Sequence, residues 1–244
     1  MKGVIAAINP NARTIDISHD VPAGNIRAGA FALASSYSFF PPDTIHLAIV
    51  DPGVGSNRRP IAVKTTRYTF VGPDNGVLSW AVAREKILAI HLLENPKFFL
   101  RTVSKTFHGR DVFSPVAAHL SLGIPVQQLG PRCKELISIP WPGASSAKNE
   151  ICGEILYVDR FGNAITNIEH WRFEALHNHA SCKVVSGRFR SIFGTHYQAV
   201  PPGRPVAVLG STGFLELAVN AGNAAGEFGL REGNKVTVRL KKRQ

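Results

Sequence analysis

Residues 44–59 read TIHLAIVDPGVGSNRR. The apolar run 44–50 has the pattern of a buried strand, and Asp51-Pro52-Gly53 stops it. In open α/β sheets ligands bind beyond the carboxyl ends of strands, and Asp51 stands at such an end. The following turn is glycine-rich, with the Asp51 carboxylate at one end and the Arg58 and Arg59 guanidiniums at the other. No GK[ST] follows, so this is not a phosphate loop. The same run also fits a tight turn with solvated arginines.

Working outward, strands and helices alternate. Residues 14–17 have a short strand pattern, and 25–39 are helical, with Ile26, Ala30, Leu33, Ala34 and Tyr37 at helical spacing and Asn25 as cap. Residues 61–64, 68–71 and 87–93 read as strands. Residues 76–85 and 113–122 read as helices, the second with Pro115 in its first turn. This alternation predicts an α/β domain with a mainly parallel sheet covered on both faces. Residues 139–146 have linker composition. Beyond them short strand-like runs at 154–158, 164–168, 182–185, 206–209 and 235–240 predict a small β-barrel or sandwich. The expected organisation is an N-terminal domain over 1–144 and a C-terminal domain over 145–244.

Composition bounds the function. The chain has 244 residues, 44% hydrophobic and 18% charged, an ordinary globular balance. No apolar run approaches the ~18 residues of a membrane span. Cys133, Cys152 and Cys182 are odd in number and form no CxxC pair, which argues against a disulfide framework and points to a reducing, cytoplasmic setting. The net charge of +11 raises nucleic acid as a partner. The basic residues are scattered, however, and the densest cluster is Arg239, Lys241, Lys242 and Arg243. No run interleaves arginine with aromatics, so nucleic acid is disfavoured. The histidines show no metal-ligand spacing beyond an isolated His177-x-His179, and no metal site is expected. No GxSxG elbow and no GxGxxG turn is present.

Four more segments carry polar chemistry. Residues 70–78 (FVGPDNGVL) end a strand and open a helix, where Asp74 or Asn75 also serves as a cap. Residues 106–111 (TFHGRD) place His108 in a polar loop before a helix. Residues 158–164 (VDRFGNA) set Phe161 between Asp159 and Asn163; this fits a hairpin turn, and also a nucleoside site that needs stacking plus polar edge contacts. Residues 210–220 (GSTGFLELAVN) read as a capped amphipathic helix carrying Ser211 and Glu216.

Together, in this order, the five segments resemble the S-adenosyl-L-methionine (SAM) hydroxide adenosyltransferase family, relatives of the enzymes that transfer fluoride or chloride to SAM. The resemblance spans nearly the whole chain. It implies an N-terminal α/β/α domain, a C-terminal β-barrel domain, and a homotrimer whose substrate lies between subunits. It implies hydrolysis of SAM to adenosine and L-methionine, with SAM as substrate and no cofactor. The implied catalytic residues are Asp51, Arg58 and His108. The implied substrate contacts are Asn75, Phe107, Asp159, Phe161, Asn163, Ser211 and Glu216. Alternatives are a SAM-dependent halogenase and a non-catalytic adenosine-, SAM- or RNA-binding protein. The positions matching the halide pocket, Val54 and Gly109, carry no hydroxyl to offset halide desolvation, which favours water as nucleophile. Family members carry a strand and a ribose-binding aspartate ahead of the segment matching Met1-Lys2-Gly3, so this chain is expected to lack both. In the implied mechanism Arg58 stabilises hydroxide, and Asp51 and His108 orient it and remove its proton.

Overall fold

The computed structural model describes residues 1–147, 150–174 and 182–240. His177, His179, Lys241, Lys242 and Arg243 lie outside them. The chain divides into two compact units, Met1–Pro140 and Trp141–Gln244. Trp141 falls in the second unit because its ring stacks on Phe214, centroids 5.5 Å apart.

The first unit opens with helix α1 (Lys2–Ile8). Residues 14–17 join no sheet, and Ile15 and Ile17 are exposed. Helix α2 (Ile26–Ser36) follows, its first turn closed by Asn25 Oδ1, which accepts from the Ala28 N–H at 2.9 Å. The sheet consists of β1 (Ile45–Leu47), β2 (Pro60–Thr65), β3 (Thr69–Pro73), β4 (Ile87–Leu92) and β5 (Arg132–Cys133), in the order β1-β3-β2-β4-β5. Only β1 and β3 pair parallel; the other three pairings are antiparallel. This corrects the mainly parallel sheet expected from the strand–helix alternation. Parallel neighbours need a crossover of a dozen or so residues. Only Thr66, Arg67 and Tyr68 separate β2 from β3, and Thr65 closes that hairpin by accepting the Tyr68 N–H on its hydroxyl at 3.0 Å. The helix expected over 76–85 shrinks to one turn, α3 (Ser79–Val82), because Gly76 takes φ +98° just before it.

Helix α4 (Ser114–Ser121) packs Val116 with Ala62 and Val71 on one face of the sheet. On the other face Tyr37, at the end of α2, meets Tyr68 and Phe70 edge-on. His46 of β1 belongs to this second cluster, stacked on Phe70 at 5.1 Å and ringed by Tyr37, Phe40 and Tyr68.

The second unit is a closed seven-stranded barrel. Its strands are β7 (Glu150–Val158), β8 (Ala164–Glu169), β9 (Cys182–Ser186), β10 (Phe189–Phe193), β11 (Pro205–Leu209), β12 (Phe214–Val219) and β13 (Lys235–Leu240). The ring runs β13-β9-β10-β11-β12-β8-β7, and β13 closes on β7. Closure leaves these seven strands without an open edge. Residues 145 and 146, expected as linker, instead fall in β6 (Ser145–Ala147) beside β7. Residues 214–219, expected as helix, are β12. Leu215, Leu217 and Val219 alternate into the barrel core while Glu216 faces outward with Ala218, which packs in a separate cluster with Val206 and Val208.

His46 is buried, its Nε2 has no hydrogen-bond partner, and burial lowers its pKa to about 4. The unfolded chain therefore takes up a proton near pH 6.5 that the folded chain refuses, and stability falls as pH drops from that value toward 4. Between pH 7 and 5 this one residue costs about 2 kcal/mol. His46→Phe is expected to remove that part of the pH dependence, read as a smaller fall in the denaturation midpoint from pH 7 to pH 5 than in the unsubstituted chain.

Candidate active site

Beyond β1 the chain continues to Val50, whose carbonyl accepts from Asn75 Nδ2 at 2.8 Å. Asn75 Oδ1 also accepts the Val77 N–H at 3.1 Å. Asn75 thus ties the turn after β3 to the residue before Asp51. The turn then folds on itself, with Val54 N donating to Asp51 O at 3.2 Å and Ser56 Oγ to Gly53 O at 2.6 Å. Gly55 sits at φ +77°, where a Cβ would lie 2.2 Å from the Lys105 carbonyl oxygen. Only glycine fits there, so the turn can approach the loop that carries His108.

The two adjacent arginines separate. Arg59 pairs with buried Asp74, whose other oxygen accepts the Ile137 N–H at 2.6 Å. Arg58 turns inward. Its Nε lies 2.9 and 3.0 Å from the two Asp51 oxygens, and its Nη2 lies 2.5 Å from Oδ2. The same Nη2 lies 2.8 Å from His108 Nδ1. The side chains of Arg58 and Asp51 are only 9% and 6% exposed, and the guanidinium lies over the Phe113 ring at 5.2 Å. A guanidinium only donates, so His108 Nδ1 accepts and the neutral ring carries its proton on Nε2. Burial first, and the Arg58 charge second, hold the His108 pKa below the usual histidine value, which keeps this tautomer neutral.

His108 precedes a π-helical turn, Gly109–Phe113, that runs into α4. Ser114 Oγ donates to the Gly109 carbonyl at 2.6 Å. Asp111 fixes the loop before it: its buried carboxylate accepts the Ser104 N–H at 2.8 Å and Arg110 Nε at 2.5 Å. Phe107 stays 45% exposed, with the Arg110 guanidinium over its ring. A cleft of about 400 Å³ ends at Asp51, walled by residues 47–52, by Gly29 and Leu33 of α2, and by Ser18, His19 and Val21. Residues 18–21 were not singled out in the sequence because they carry no motif.

The barrel unit holds the other group. Asp159, Phe161, Asn163, Ser211 and Glu216 all line one pocket of about 640 Å³ on the barrel wall. Asp159 is committed to its own turn: Oδ1 accepts the N–H groups of Phe161 and Asn163, and Oδ2 accepts Asn163 Nδ2. Tyr197 and Thr212 are further polar side chains of the lining, and neither was expected. Tyr197 arrives on residues 194–204, the crossover that joins parallel neighbours β10 and β11, a pairing that the strand pattern does not reveal.

Comparison with known proteins places the chain. The SAM hydroxide adenosyltransferase N-terminal domain matches residues 1–130, and the C-terminal domain of the same family matches residues 153–237. The chain belongs to the SAM hydroxide adenosyltransferase family. Relatives include the (R)-S-adenosyl-L-methionine hydrolase of Thermus thermophilus, 39% identical over 98% of this chain and 92% of that protein. The same-named protein of Salinispora arenicola is 37% identical over 97% of this chain and 90% of its own length. The fluorinase of Nocardia brasiliensis is more distant, 23% identical over 98% of this chain and 91% of that protein. A solved structure from Thermotoga maritima superimposes with a TM-score of 0.91 at 36% identity, covering 98% of this chain and 93% of that one. The family resemblance seen in the sequence is therefore borne out.

Asp111 generates a prediction. Asp111→Ala leaves the Ser104 N–H without its acceptor and releases the His108 loop. A loss of about 1–3 kcal/mol in chemical denaturation is expected, with Asp111→Asn recovering part of it by keeping an oxygen for Ser104.

Proposed function

We propose that this chain hydrolyses SAM to adenosine and L-methionine, with water attacking C5′ of the ribose. The observation that carries the proposal is the buried Arg58 guanidinium held between Asp51 and His108. The hydrolase names of relatives at 37–39% identity over nearly the full chain support it. The fluorinases, at 23% identity, are a weaker precedent.

The sulfonium of SAM leaves as a neutral thioether, so no acid is needed on the leaving side. What the reaction needs is a strong nucleophile held in line with C5′. A water beside the Arg58 guanidinium loses a proton more readily, because the cation stabilises the hydroxide. Hydroxide and sulfonium neutralise each other in the transition state, so a dry site favours the reaction. His108 presents Nε2–H, a donor that orients the nucleophile's oxygen. Its Nδ1 is already occupied by Arg58, which leaves Asp51 as the group that accepts the proton. The balance is SAM plus water giving adenosine, L-methionine and one proton; the new bond is C5′–O and the broken bond is C5′–S. The barrel pocket, with Phe161 for stacking and Asn163 for edge contacts, takes the nucleoside, and Phe107 and Ser211 contribute further contacts. Asn75 positions Asp51 through Val50. The chain works without a cofactor, as a homotrimer with the substrate between subunits, in the cytoplasm; the family resemblance supports the trimer, and the unpaired cysteines support the compartment.

Reaction in ¹⁸O-water tests this directly. The 5′-oxygen of adenosine is expected to carry the label, with methionine formed in equal amount and no dependence on chloride or fluoride. Arg58→Ala is expected to lower kcat at least 100-fold, on the order of a lost charge-stabilising donor, while SAM affinity changes severalfold at most. Equal losses in kcat and affinity would contradict nucleophile activation.

A further inference from the structure

Glu216 is the least explained group in the barrel pocket. It projects outward from β12, between Val208 of β11 and Ile165 of β8 in register, and is only 5% exposed. Tyr197 donates its hydroxyl to Glu216 Oε2 at 2.8 Å. Among the described residues Oε1 accepts no hydrogen bond, and the carboxylate lines the pocket. Gly210 makes room for it: a Cβ there would sit 1.7 Å from Oε1. Thr212 Oγ1, on the same pocket, is buried without a partner. The free oxygen of a carboxylate this little exposed gains from a ligand group that donates to it.

The lining shows what kind of donor fits. Ile165, Val219, Ala221 and Gly222 make one part of the wall apolar, and Phe161, 71% exposed, offers a ring face. Among the described residues no lysine or arginine lines the pocket. Flat apolar walls with one inward acceptor suit a heteroaromatic base bearing an amino group.

We infer that Glu216 reads the 6-position of the ligand's purine, accepting from an amino group there and rejecting an oxo group, and that Tyr197 is the positioning residue that aims it. This rests on the nucleoside end of the proposed substrate entering the barrel pocket. With Oε2 tied to the Tyr197 hydroxyl, a proton on Glu216 belongs on Oε1, where it would face the ligand as a donor and reverse the preference. Tyr197 and Asp159 are the titratable groups that act on Glu216. Burial, and then Asp159, push its carboxyl pKa up, while the Tyr197 hydrogen bond pulls it down. Tyr197 thereby opposes protonation of the carboxylate as well as aiming it.

The test is calorimetric binding of adenosine, inosine and purine riboside to the full chain from pH 5 to pH 8. The unsubstituted chain is expected to bind adenosine at least tenfold more tightly than inosine at pH 8, with the ratio shrinking as pH falls. Glu216→Gln, which keeps shape and an acceptor for Tyr197, is expected to bring the ratio toward one, because a carboxamide can turn its amino group to a 6-oxo ligand. Tyr197→Phe is expected to keep the preference at pH 8 and lose it at a higher pH than the unsubstituted chain. An adenosine-to-inosine ratio unchanged in Glu216→Gln overturns the inference, as does equal loss of both nucleosides. Weakened L-methionine binding with nucleosides unaffected also overturns it. Adenosine release from SAM is followed in parallel. A chain that forms no adenosine yet prefers adenosine to inosine contradicts the hydrolase proposal and leaves this inference standing.

Discussion

A guanidinium nine-tenths buried has to be satisfied on every side, and the first unit is arranged around that demand. Arg58 spends Nε and Nη2 on the Asp51 carboxylate, lends the same Nη2 to His108, and lies over the Phe113 ring. Removing one partner of such a pair leaves an uncompensated buried charge, at a cost of about 3–5 kcal/mol. The three residues come from the end of β1, the turn behind it and the loop before the π-helical turn. The interaction therefore fixes three chain segments relative to one another and sets the protonation of the ring at the same time.

The surrounding structure protects this arrangement. Gly55 lets the turn press against the Lys105 carbonyl, Asn75 pins Val50, and Asp111 holds the loop through Ser104. None of these needs to touch a ligand. They remove freedom from groups that do, and preorganisation of this kind is where an electrostatic site gains most. Arg59, one residue away, shows the alternative. It pairs with Asp74 and Cys133 and so braces the segment around 133–137 instead of the site.

Much of this was legible in the sequence, for identifiable reasons. Asp51 was visible because a hydrophobic strand ends there; Arg58 and His108 stood in polar loops that also fit plain turns, and the family resemblance joined them to Asp51. The helix cap at Asn25 and five of the seven barrel strands followed from local pattern; β10 and β12 did not. Nor did the sheet's direction, since β2 and β3 each look like an ordinary buried strand and only the three-residue gap between them dictates antiparallel pairing. Residues 214–219 were read as part of a capped amphipathic helix behind Ser211 and Thr212; Glu216 is buried on the outer wall of the barrel under Tyr197, a tertiary contact that no local pattern encodes. Tyr197 itself gave no signal, because its position depends on the parallel pairing of β10 with β11.

The proposed chemistry turns on the protonation of one ring. With Arg58 donating to Nδ1, His108 must be neutral and carry its proton on Nε2. The most direct measurement is long-range ¹H–¹⁵N correlation of the imidazole nitrogens in ¹⁵N-histidine-labelled protein near neutral pH, with His108→Gln identifying the resonance. An unprotonated Nδ1 beside a protonated Nε2 is the result predicted. A ring protonated on Nδ1, or on both nitrogens, would contradict the Asp51–Arg58–His108 arrangement on which the proposed chemistry depends.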